Sequence, residues 1–142
     1  MATVSSRYPV ATGGRDLARR TAGGVLVAIV AALLVRTIVG AANLSLGAGG
    51  PASPFGTVPI VMSSLVAGVG AAVAYAALVR LTERPVRNFA ALAAVVIVGM
   101  LVPVFAVAPA MGLTVAGQAV LVALHVVVAI PLVAFVVGAV QV

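Results

Sequence analysis

Very few side chains in this 142-residue chain could do chemistry, and they are all polar groups set in an apolar background. Arg36 is the only charge inside a long apolar stretch, and an ionisable group in such a place is costly enough to be a functional candidate. Thr114, Gln118 and His125 recur at offsets of 4 and 11 residues, which is one face of a helix. Together with Asn43 they suggest an outward-facing pocket of Arg36, Asn43, Gln118 and His125 that would hold an anionic headgroup or a small ligand. Plainer readings stand beside this one. Arg36 lies about six residues, roughly 9 Å, below the outer end of its stretch, close enough to snorkel to lipid phosphate or backbone carbonyls. A lone buried histidine is most often a neutral, hydrogen-bonded structural residue. With no second histidine and no carboxylate in any apolar stretch, His125 cannot build a multi-histidine metal site. It could supply one axial haem ligand, whereas membrane haem sites draw on two or more residues of facing helices. A quinone- or haem-associated subunit is therefore a third reading behind the other two.

The elements that must position these residues are unusually apolar. Hydrophobic residues make up 64% of the chain and charged residues 7%, proportions that leave a water-soluble domain without enough polar cover. Four segments are each long enough to cross a bilayer core, which takes about 20 residues. The expected spans are 21–42, 57–79, 89–108 and 114–140, within one four-helix transmembrane domain over 21–142. A basic tail precedes them at 1–20, disordered for most of its length and helical near Arg15. Pro59 falls in the first turn of the second span, where its missing amide costs nothing. Pro103 and Pro131 lie inside the third and fourth spans and should bend them.

Charge fixes the expected orientation. All eight basic residues are arginine, and seven of them (Arg7, Arg15, Arg19, Arg20, Arg80, Arg84, Arg87) lie in the N-terminal segment or the turn at 80–88. The connections at 43–56 and 109–113 carry none. Cationic segments are retained in the cytoplasm during insertion. The prediction is thus an all-α, antiparallel up-down four-helix bundle in the cytoplasmic membrane of a prokaryote, with both termini inside. Arg15, Arg19, Arg20, Arg80, Arg84 and Arg87 would set topology and meet lipid headgroups, not nucleic acid. A secretory signal is the competing reading of the first span, with Ala22 to Val35 as its apolar region and Val39-Gly40-Ala41 as a cleavage-like site. The stretch is long for that role, and Arg36 sits awkwardly before the site.

Helices in lipid associate through small residues and a few hydrogen bonds. Ser64, Gly68, Ala72 and Ala76 recur every four residues in the second span, with Ser63, Ala67 and Ala71 alongside. This ridge would seat another helix of the same chain or form a dimer face. The chain has no cysteine, which excludes disulfides, thiolate metal sites, dithiol redox chemistry and a cysteine nucleophile. Paired carboxylates, a phosphate-binding glycine loop and a serine beside a base are also missing. No catalytic residue, metal or cofactor is expected. The reading favoured is a non-enzymatic membrane protein, a structural or accessory subunit in a homo-oligomer or a larger membrane complex. A small transporter or lipid- or ligand-binding protein using Arg36, Gln118 and His125 is the alternative.

Ser64-Leu65-Val66-Ala67-Gly68, the basic turn Leu81 to Arg87, and Ala123-Leu124-His125-Val126-Val127 follow one another in an order that resembles a family of small four-helix prokaryotic membrane proteins of unknown function. The likeness covers Ser64 to Val137. It implies the four-helix architecture and draws attention to His125, without implying an activity. The small multidrug-resistance exporters have a similar size but depend on a glutamate in the first helix. This first span contains no acid, so proton-coupled export by that mechanism is not expected.

Overall fold

The computed structural model describes residues 8–142, and the part of the expected tail at residues 1–7 lies outside them. Four α-helices account for most of the described chain: α1 (Gly14–Ala41), α2 (Thr57–Leu81), α3 (Pro85–Ala106) and α4 (Val115–Val136). A single 3-10 turn, Ala108–Met111, joins α3 to α4, and there is no strand among the described residues beyond an isolated bridge between Gly47 and Leu113. Each helix is long and apolar enough to cross a membrane. The shortest, at 22 residues, measures about 33 Å, slightly more than a typical hydrocarbon core.

Helix ends follow local chemistry. Helix α1 begins at Gly14, a full two turns before the expected span, and so takes in Arg15, Arg19 and Arg20. Asp16 in its first turn accepts a hydrogen bond from the Thr12 amide at 3.1 Å, and its charge complements the positive end of the helix dipole. At the other end Asn43 adopts a left-handed conformation, φ 51°, and its amide bonds back to the Gly40 carbonyl at 3.2 Å. Helix α4 stops at Val136, four residues before the expected end of its span. Gly138 there has φ 79°, Gly138 N–H donates to Phe135 at 3.1 Å and Ala139 N–H to Ala134 at 2.8 Å. That pair of bonds is the Schellman termination for which glycine is favoured.

Helix α1 packs most extensively on α4 and next on α2, while α3 leans on α4 and α2. The buried face of α1 is Arg20, Gly24, Ala28 and Ala32, one residue per turn, with Val25 beside them. Gly24 is required by close approach. A Cβ there would lie 3.1 Å from Phe135 Cβ, 3.3 Å from the Pro131 carbonyl oxygen and 3.4 Å from Leu132 Cα, two of them backbone atoms and the third attached directly to backbone. On α2, Ser64 and Gly68 are buried, with Gly68 pressed against Val25 of α1, and Ala72 and Ala76 are half-buried. The upper part of the ridge is therefore occupied within the chain. Ser63 and Ala67 remain exposed.

Three apolar clusters fill the interior. Ala32, Ile60, Val120 and Leu124 lie toward one end, with Leu46 and Phe55 against them. Val25, Ala28 and Leu132 are central. Tyr75, Phe89, Val136 and Val137 lie toward the other end, joined by Ala11, Leu17, Leu78 and Val86, with the Tyr75 and Phe89 rings edge to face at 5.4 Å. Many large apolar side chains point outward, among them Val58, Val66, Val95, Val98 and Phe105. Such a surface is stable against lipid and not against water.

Beside the Tyr75 cluster the first turns of α1 are tied to the segment before them and to the residues after α4. Arg20 is only 8% exposed. Its Nη2 pairs with Asp16 at 3.0 Å, its Nε donates to the same carboxylate at 3.3 Å, and its Nη1 donates to the Pro9 carbonyl at 2.9 Å. Gly138 lies against the guanidinium, and Arg19 donates to the main-chain oxygen of Val142 at 2.9 Å.

Two outcomes follow from this packing. Gly24→Leu should lower the thermal stability of the detergent-solubilised protein by about 1–3 kcal/mol, whereas Gly70→Leu, where a side chain meets open space, should leave the melting temperature near that of the parent. Arg20→Met should destabilise by about 3 kcal/mol because it leaves Asp16 unpaired. Adding Asp16→Asn to Arg20→Met should restore part of that loss, and simple additivity of the two changes in a thermal-melt cycle would contradict the pairing.

Candidate functional site

The loop between α1 and α2 is built to dock on the start of α4. Thr114 N–H donates to the Leu46 carbonyl at 3.0 Å, and Thr114 Oγ1 donates to the Ser45 carbonyl at 2.6 Å. The same hydroxyl accepts from Gly117 N–H at 3.0 Å, so one threonine both caps α4 and anchors the loop. The Leu46 carbonyl rests directly on Gly117, where a Cβ would overlap it. Farther along, Ser53 N–H bonds to Gly50 at 3.1 Å and Gly56 N–H to Ser53 at 3.2 Å, turning the chain into α2.

Between this loop, the last turns of α1 and the facing turns of α2 and α4 lies a cavity of about 760 Å³, within the range of ligand sites. Arg36, Thr37, Asn43, Ser45 and Ser53 give it a polar rim, while Val39, Phe55, Ile60, Val120 and Leu124 supply apolar wall. Ile60, Val120 and Leu124 belong to the buried core, so the floor is rigidly packed.

Arg36 is exposed, and its Nε donates to the Phe55 carbonyl at 2.9 Å. Its Nη1 and Nη2 make no hydrogen bond among the described residues. Thr37 is internally satisfied through the Leu33 carbonyl at 2.8 Å, and Ser53 Oγ accepts from Phe55 N–H at 3.3 Å. The two carboxylates of the chain, Asp16 and Glu83, sit at the start of α1 and in the α2–α3 turn, the end opposite the loop. The site thus offers cationic and neutral donors without a negative group beside them. Chemically, it can hold an anion.

Of the four residues expected to converge, two do so. Arg36 and Asn43 line the cavity, whereas Gln118 and His125 are not among its lining residues. Both are half-buried. His125 Nδ1 lies 2.7 Å from the Leu121 carbonyl one turn back. A carbonyl only accepts, so Nδ1 carries the proton and the ring is held on its own helix. Gln118 makes no side-chain hydrogen bond among the described residues. Arg15, Arg19, Arg80, Arg84 and Arg87 are exposed, but Arg20 is buried and engaged within the chain, so it is not available to a headgroup. Among the described residues no group of three or more His, Cys, Asp or Glu side chains could hold a metal ion.

The residues missed in the sequence are the hydroxyls of Ser45 and Ser53 and the carbonyl of Phe55. The uncharged, serine-bearing loop was a signal for the first two. A backbone acceptor leaves no trace in residue type. His125→Leu should leave ligand retention unchanged and shift stability by no more than about 0.5 kcal/mol. Gly117→Val, by contrast, should displace the loop and increase proteolytic cleavage within residues 44–56.

Neither the curated proteins nor the solved structures contain a match to this chain. A family of unknown function does match, over a stretch that takes in α1 and the cavity loop as well as the Ser64 to Val137 region. The match spans residues 12–141, nearly every described residue, and the chain belongs to that family of unknown function (DUF6069).

Proposed function

We propose that this is a non-enzymatic, multi-pass protein of a prokaryotic cytoplasmic membrane that holds a small ligand or a lipid in the cleft beside Arg36. The four helices would run as an antiparallel up-down bundle with both termini in the cytoplasm. Support for the orientation comes from the exposed arginines 15, 19, 80, 84 and 87, gathered at the end opposite the uncharged loop, in keeping with retention of positive charge inside. The cleft would then open outward at headgroup depth.

The observation that carries the binding role is a guanidinium with unused donors at the rim of a cavity whose floor is packed core. A role as an accessory subunit is the second reading. It is favoured by Ser63, Ala67 and Gly70, exposed small residues on one side of α2 with open space at Gly70, against which a helix of a second copy or of a larger membrane complex could approach.

Native mass spectrometry of gently extracted protein separates the two. A monomer carrying one stoichiometric small molecule, lost in Arg36→Gln, is the expected result. A defined oligomer or foreign subunit with an empty cleft would favour the accessory reading instead. Orientation is tested by single cysteines, since the chain has none of its own. Gly49→Cys should react with an impermeant maleimide added outside intact cells, and Glu83→Cys only after permeabilisation. The reverse pattern would invert the topology.

A further inference from the structure

We infer that the group recognised at Arg36 is a phosphoryl oxyanion, and that its natural source is the phosphodiester of a membrane phospholipid whose chain lies along the apolar wall. This rests on the binding role proposed above and names its ligand class.

The donor set argues for the anion. Among the described residues Arg36 spends only Nε on the protein, through Phe55, which leaves Nη1 and Nη2 as a paired fork. Such a fork matches two oxygens of a phosphate. Asn43 and Ser45 stand on the same rim with side-chain donors that no described residue engages. Both carboxylates of the chain are at the opposite end, so nothing within the described residues neutralises Arg36. A cation would be repelled here, and a neutral ligand would leave the charge without a partner at the edge of a low-dielectric medium.

The walls argue for a lipid. A free phosphate needs only a polar cradle. This cavity instead continues past the rim onto Ile60, Val120 and Leu124, and its volume of about 760 Å³ is several times what a bare oxyanion fills. Depth agrees as well. Arg36 lies five residues before the end of α1 at Ala41, about 7–8 Å along the axis, where phosphates of an outer leaflet meet the hydrocarbon.

The test uses delipidated full-length protein and follows its thermal stabilisation by dioleoylphosphatidylglycerol, by dioleoylglycerol, which lacks the phosphate, by oleate and by inorganic phosphate. The phospholipid should stabilise the parent. Arg36→Gln should weaken that response roughly tenfold or more in half-saturating concentration. Asn43→Asp, which keeps Arg36 but places a carboxylate on the rim at an exposed left-handed position that aspartate tolerates, should weaken it similarly. Dioleoylglycerol should have no effect. Equal stabilisation by inorganic phosphate, lost in both variants, would keep the phosphoryl chemistry and overturn the lipid source. Dioleoylglycerol acting as well as the phospholipid, or an undiminished phospholipid response in both variants, would overturn the inference. Oleate binding that depends on Arg36 while the phospholipid is inert would do so too, yet would leave the binding role standing. Failure of every probe, together with no retained molecule in native mass spectrometry, would remove both.

Discussion

Close approach of α1 to its neighbours is the constraint on which the structure depends. In lipid there is no hydrophobic gain from bringing helices together, so association rests on contact between small side chains and the backbone opposite. Gly24, Ala28 and Ala32 make such contact possible along one face of α1, with Gly24 lying on the Pro131 carbonyl of α4. Val25, next to that face, fills the gap left by Gly68 of α2. Once α1 is seated between α4 and α2, the loop that follows it must cross to the start of α4, where Thr114 receives it. The cavity is what remains under that crossing. Helix α3 contributes least to this interior, burying only Pro85, Phe89 and Val104, and it exposes most of its apolar surface.

The same four-residue spacing that carries the small residues also carries an arginine at each end, Arg20 and Arg36, and the two are treated in opposite ways. Arg20 is buried and satisfied by Asp16 and the Pro9 carbonyl, so its charge is neutralised by the chain itself. Tyr75 lies fully buried in the neighbouring cluster, and its hydroxyl makes no hydrogen bond among the described residues. That end is closed by residues from both termini, since Pro9, Thr12, Gly138 and Val142 all touch the Asp16, Arg19 and Arg20 group. Arg36 has one carbonyl and no counter-ion among the described residues. One end of the stripe is a structural knot, and the other is left chemically unfinished.

Much of this was legible in residue order, and what was not has identifiable causes. Four helices followed from segment length and apolarity. Their ends were harder. The start of α1 at Gly14 agrees with the helical onset expected near Arg15, whereas the span itself was expected only from residue 21, because Arg15, Arg19 and Arg20 mark a boundary by charge that the Arg20–Asp16 pair carries the helix across. The end of α4 was hidden because Val137 to Val140 continue the apolar run, whereas backbone conformation at Gly138 ends it. The polar stripe of α4 misled in a more instructive way. Thr114, Gln118 and His125 do share a face, but at 100° per residue it is centred about 100° from the face of Gly117, Val120 and Leu124 that packs inward in that part of α4, and the stripe's own face is buried only past Pro131, at Leu132 and Val136. His125 meets its hydrogen-bonding need on its own helix at Leu121. Polarity therefore did not require it to point into the bundle. The small-residue stripe of α1 has the same four-residue spacing as the ridge of α2, but an arginine stands at each of its ends.

An arginine at the end of a packing stripe is a costly choice if packing is all it serves. Alanine at position 36 would continue the spacing of Ala28 and Ala32 without asking the membrane to accommodate a charge, which costs about 2.5–3.5 kcal/mol at mid-bilayer and progressively less toward the interface. Snorkelling offsets part of that cost for any long basic side chain. The Nε bond to the Phe55 carbonyl is a backbone contact that snorkelling allows, but it leaves Nη1 and Nη2 without a partner among the described residues. A half-satisfied guanidinium above an apolar floor is an arrangement in which a partner with complementary charge meets a receptor that is already partly ordered. The order is already built in, by the Thr114 anchor beneath the loop and by the core residues that form the floor.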